Sequence, residues 1–152
     1  MPYVAAEARQ ELLDALAAAT DQLGVALAAL GEAFEELDEF SAERLEDTLF
    51  RPVQAAYGRA QRTHAQFAER HGLAARTFSP QLSGARPGDA RAAIDHALAA
   101  IGATEEALAA LQDSMMPVEV GDPELRAGLA DVRRLIAPLP GAAREIVRTL
   151  GR

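Results

Sequence analysis

The chain has 152 residues, with 23 acidic side chains against 15 basic ones, a formal charge of −8 and no cysteine. A single domain of this length buries enough apolar surface to fold without a metal or a disulfide. The missing thiols exclude disulfides, iron–sulfur clusters, thiol catalysis and cysteine-ligated zinc, and an acidic surface repels nucleic-acid phosphates and anionic lipid heads, so neither is an expected partner.

Alanine dominates, aromatics are 5% and tryptophan is absent, so Leu, Ile, Val and Ala must fill the core. These are residues for thin, closely packed helices rather than a sandwich or barrel. The complete absence of Lys and Asn beside abundant Ala, Arg, Gly and Pro reads as codon bias towards G and C, not as selection for arginine chemistry. Charges at Glu7 and Arg9 occupy the region where a signal peptide needs an apolar core. No unbroken apolar stretch reaches the ~18 residues of a membrane span, so a cytoplasmic location is expected.

In the first segment, Leu13, Leu16, Thr20, Leu23, Leu27, Leu30, Phe34 and Leu37 recur at alternating steps of three and four. That spacing predicts a helix over residues 4–39, roughly 50 Å long, which other helices must flank. Ala17, Gly24 and Gly31 lie on one side of the seam and Ala19, Ala26 and Ala33 on the other. Glycine weakens a helix interior, so a pair seven apart points to a groove where another backbone comes close. Ser41 is the expected N-cap of a second helix over 42–71, kinked near Pro52. Its stripe reads Phe50, Val53, Tyr57, Ala60, His64, Phe67 and His71, and Gly72 ends it.

Residues 72–88 have a loop composition, with Ser79-Pro80, Ser83-Gly84 and Pro87-Gly88, yet hold Leu73, Phe78 and Leu82, so the segment should pack on the bundle. It is long enough to close one end or to cross the bundle; up-down-up-down is the commoner arrangement. A third helix is expected over 89–116, with Asp89 as cap and Ile94, Ala97, Ile101, Thr104, Leu108, Leu111 and Met115 as stripe, stopped by Pro117. Asp122-Pro123-Glu124 starts a fourth over 122–137, burying Leu125, Leu129, Val132, Ile136 and Leu139. A short helix over 141–150 follows. The whole is an all-α, antiparallel four-helix bundle in one domain, residues 1–152. Ala26–Gly31 is echoed by Ala97–Gly102, a match that Ala/Leu-rich helices produce by chance.

Motifs for chemistry are scarce. Ferritin-like sites need Glu-x-x-His, but Gln61, Ala68 and Ala93 precede the three histidines by three; His-x-x-x-His, Gly-x-Ser-x-Gly and a phosphate loop are absent too. No catalytic residue or cofactor is expected. His64 and His71 share a stripe two turns apart, a weak metal pair because their backbones are about 10 Å apart.

Two surfaces stand out instead. Glu35, Glu36, Glu39 and Glu43 form the centre of an acidic tip around the first turn, fit for a basic partner or a divalent cation. Ala18, Val25 and Ala29 on the first helix, with Ala99, Ala103 and Ala110 on the third, point away from the seam where charge is usual. Small outward strips let a second helix pack closely, so a homodimer or a helical protein partner is expected. The leading expectation is a non-enzymatic bundle acting through protein association. The alternative is a small-molecule or metal binder, or an enzyme, with a pocket among Tyr57, His64, Phe67, His71 and Met115.

Overall fold

The computed structural model describes residues 2–80 and 89–150. It is 85% helical, and no strand occurs among the described residues. The first helix, α1 (Pro2–Glu35), is the longest element. Its core face carries Leu12, Leu13, Leu16, Leu23 and Leu30, all 1% exposed or less. By length and composition α1 could cross a membrane, contrary to the expectation above: Val4–Glu35 has a best stretch of mean hydropathy 1.3. Within the bundle 61% of that stretch is buried, as a core helix requires.

α1 ends four residues earlier than the periodicity implied, and Asp38, not Ser41, caps the next helix. Asp38 Oδ1 accepts from the Ser41 backbone N–H at 2.8 Å and Oδ2 from its hydroxyl at 3.0 Å. α2 (Glu39–Leu45) runs through a π-helical turn (Glu46–Phe50) into α3 (Arg51–Arg70). The expected kink at Pro52 thus takes the form of a widened turn, in which Arg51 N–H reaches Glu46 C=O. A proline ring in a regular helix clashes with the carbonyl four residues back, and a wider turn just before it relieves that crowding. Gly72, at φ +66°, ends α3 in the left-handed conformation that glycine adopts without penalty.

α4 (Ala90–Asp113) follows the crossover, capped by Asp89 as expected. Pro117 does not simply stop it. The chain first turns at Met115, a non-glycine at φ 67°, and Pro117 then opens the single turn α5 (Met116–Glu119). Asp122 caps α6 (Pro123–Ile136), and α7 (Leu139–Leu150) buries Leu139, Ala143 and Ile146.

α1 packs most extensively on α4, α3 on α6, and α1 also on α3. Side-chain contacts give the directions. Arg9 Nε donates to Val120 C=O just beyond the end of α4, so α4 runs against α1. Arg59 meets Asp131 and Arg70 meets Asp122, so α6 runs against α3. Arg126 donates to Pro117 C=O just beyond α4 and Arg133 meets Glu105 within it, so α6 also runs against α4. The order is up, down, down, up, with α3 and α4 parallel across the diagonal, so that the end of α3 and the start of α4 lie at opposite ends of the bundle. At the far end α7 lies against α4, α2 and the π turn, filling the length that the 14-residue α6 leaves uncovered.

The close approach of α1 and α4 rests on small residues. Ala19, Ala26, Ala29 and Ala33 on α1 and Ala93, Ala97 and Ala100 on α4 are all buried. Ala29 therefore belongs to the core, not to the outer strip in which the seam placed it. The burial reaches round the helix because α4 covers the whole flank.

Candidate functional site

The described part of the crossover, Leu73–Pro80, lies as a strap over the groove between α1 and α3. Leu73 N–H donates to Ala68 C=O at 2.8 Å, fixing where it starts. Arg76 Nη2 reaches both oxygens of Asp21, at 2.8 and 2.9 Å, and its guanidinium stands 4.6 Å over the Phe78 ring. Phe78 in turn meets the His64 ring edge-on, centroids 5.2 Å apart. Further along, the Pro80 backbone passes Gly24: a Cβ there would lie 3.4 Å from Pro80 Cα and 3.5 Å from the Tyr57 ring. Gly24 is thus the backbone approach expected of it. Gly31 is not; nothing lies within 4 Å of a Cβ at that position.

Under the strap sit two polar atoms without a partner among the described residues, Tyr57 Oη and His64 Nδ1, in side chains only 6% and 3% exposed. An unpaired buried polar group costs about 1–3 kcal/mol. Burial first, then the nearby Arg76 charge, push the His64 pKa down against the pull of Asp14; burial and Asp21 push the Tyr57 phenol up. Both groups are therefore neutral around pH 7. Beside His64 lies a solvent-open groove of about 420 Å3 whose polar lining is Gln10, Asp14, Asp21, His64 and Arg76.

His71 makes its contacts away from this groove. It is half-buried, stacked on Phe67 at 4.4 Å, and its Nε2 lies 3.0 Å from Asp122 Oδ2. Arg70 holds the same carboxylate through Nε and Nη2, each at 2.8 Å. Partial burial works against the Asp122 charge, but Arg70, the Leu125 N–H and His71 outweigh it and hold the carboxyl well below its usual range. The expected pocket of Tyr57, His64, Phe67, His71 and Met115 does not assemble. Phe67 is core, Met115 is 47% exposed, and the two histidines have separate partners. No three His, Asp or Glu side chains converge on a metal position among the described residues.

The acidic tip is a surface, as expected: Glu35, Glu36, Glu39 and Glu43 are exposed. Asp38 is committed to capping, and Arg51 sits beside Glu46 and Asp47 at 4.0 and 3.7 Å. The sequence reading missed the aromatic component. Phe40 is 71% exposed, and Phe34, placed on the buried seam, is 39% exposed. Phe34 occupies the last turn of α1, at the mouth of a recess of about 240 Å3 lined also by Gly31, Glu35, Glu46 and Phe50. Of the outer strip, Ala18, Ala99 and Ala110 are exposed and Val25 and Ala103 half-buried. Compared with known protein families, with curated proteins and with solved structures, the chain matches none.

Proposed function

We propose that the protein acts by binding other proteins, without catalysis, and that the tip formed by α1, α2 and the π turn is its docking face. The observation that carries this is the exposed Phe34 at the mouth of an apolar recess edged by Glu35 and Glu46, with Phe40 exposed on the same acidic tip. Large exposed apolar side chains beside a recess mark association surfaces, and the carboxylates favour a basic partner and disfavour a second copy of the same tip. The fitting partner is an amphipathic helix with basic flanks and a bulky apolar anchor for the recess.

The test is calorimetric titration with a synthetic amphipathic Arg/Leu helix. Binding should weaken at least about tenfold in Phe34→Asp or Phe40→Asp, and should weaken with added salt. A titration unaffected by either substitution sinks this docking face. Self-association is proposed for the other surface, because Ala18, Ala99 and Ala110 expose small side chains on two adjacent antiparallel helices. Native mass spectrometry should then show a dimer that Ala99→Arg converts to monomer; a monomer in the unsubstituted protein removes that part.

A further inference from the structure

We infer that the strap is a pH-operated latch: when His64 takes up a proton, Leu73–Pro80 swings off the groove between α1 and α3 about Gly72. The strap is lightly held. Leu73 N–H is bonded to Ala68 C=O, and beyond it no backbone hydrogen bond holds residues 74–80 among the described residues. Of those seven residues only Phe78 is half-buried; the rest are exposed. What remains is the Arg76 fork on Asp21, whose side chains are 47% and 34% exposed, and Phe78 lying edge-on to His64. Exposed ion pairs add little stability, so lifting this segment costs far less than opening the core. Gly72, at φ +66°, supplies the joint, because a residue at the end of an element absorbs such a change most readily.

His64 is the trigger. Its ring is buried and Nδ1 finds no partner, whereas an imidazolium carries a donor on both nitrogens and a full charge. Charged groups face it from both elements that cover it. Arg76 on the strap repels an imidazolium and Asp14 on α1 attracts it; Asp21 lines the same groove but is forked by Arg76. On the other flank of α3, α6 commits Asp122 and Asp131 to Arg70 and Arg59. Beneath the strap the Tyr57 phenol stays neutral. With the strap in place, an imidazolium is dry, lacks an acceptor at Nδ1 and sits beside Arg76. With the strap lifted it gains water, loses Arg76 and keeps Asp14. The proton therefore binds the open form more strongly, and acid populates that form. The open-to-closed ratio is flat above about pH 6.5 and rises below it by at most about tenfold per pH unit.

The chain has no cysteine, so paired spin labels can report the movement. Thr77→Cys on the strap with Glu11→Cys on α1 forms the reporting pair, and Glu11→Cys with Glu106→Cys on α4 the control; all three positions are exposed. Double electron–electron resonance at pH 7.5 and 5.0 should show a longer strap distance whose share against the closed one rises on the order of tenfold in acid, while the control distance holds. His64→Gln cannot take up the proton, so its strap distances should be the same at both pH values. Asp21→Asn loses the fork and should open at higher pH than the unsubstituted protein. The inference is overturned by a strap distance that does not change with pH, by a change that survives in His64→Gln, by an opening midpoint that Asp21→Asn leaves in place, or by a control pair that broadens together with the strap.

Discussion

Asp122 gathers three structural tasks into one carboxylate: it caps α6, forks with Arg70 and meets His71. Replacement by Asn keeps a capping oxygen and loses the charge, so Asp122→Asn should cost about 1 kcal/mol; Asp122→Ala loses both and should cost about 2–3 kcal/mol. Urea unfolding at neutral pH measures the difference. The folded-state pKa of Asp122 is depressed, so its contribution is complete above the ordinary aspartate value of about 4 and declines as pH falls below it. Wild-type stability should therefore drop more steeply in that acid range than that of Asp122→Asn. Glycine positions give a second residue-scale contrast. A Cβ on Gly128 would lie 2.2 Å from Thr63 Oγ1, whereas one on Gly102 would meet nothing within 4 Å. Gly102→Ala should gain about 0.5–1 kcal/mol from helix propensity, and Gly128→Ala should lose about 1–3 kcal/mol by overpacking α3 against α6. Thermal unfolding of the two variants should move in opposite directions.

Among the elements, the strap has the most to reveal. Phe78 closes over His64 and Arg76 clamps the strap to Asp21. Phe78→Ala should admit water to the imidazole and raise its NMR titration midpoint towards the unperturbed 6.5 or so. The sign of the stability effect follows: a histidine held neutral by burial stabilises the fold fully above about pH 6.5 and progressively less below it. Phe78→Ala should therefore be less stable than wild type at pH 7.5 and show a shallower loss on acidification. The loop composition and the apolar Leu73 and Phe78 were legible in the sequence, and for Leu73–Pro80 they correctly implied packing on the bundle; Leu82 and the rest of the expected loop up to Gly88 lie outside the described residues. Its path was not legible, because the partners that fix it, Asp21 and His64, lie on two other helices. The π turn was only half legible. Pro52 announces a disturbance, but whether a helix breaks, bends or widens depends on what its two halves pack against.

At the scale of the whole molecule, one short helix completes the core. α7 brings Ile146, 1% exposed, to the end of the bundle where α6 has already stopped. Ile146→Ala should cost about 2–4 kcal/mol, well beyond the effect of an exposed position on the same helix such as Arg144→Ala. A loss under about 0.5 kcal/mol in urea unfolding would mean that α7 is not part of the cooperative core. The tip predicts the reverse: Phe40→Asp, at a side chain 71% exposed, should leave the melting temperature where it was.

The number of long helices, their caps at Asp89 and Asp122, and the burial of Leu16, Leu23 and Leu30 were all determined by the sequence alone. Spacing and capping act within a few residues, and a buried stripe must find cover whatever covers it. Only the tertiary structure decided the up-down-down-up order, the inclusion of Ala29 in the core and the exposure of Phe34. It likewise decided the division of His64 and His71 between the groove under the strap and a hydrogen bond to Asp122. Each of these depends on which helix lies on which flank, a choice that alanine-rich faces of similar width leave open until the crossover and α7 are packed in place.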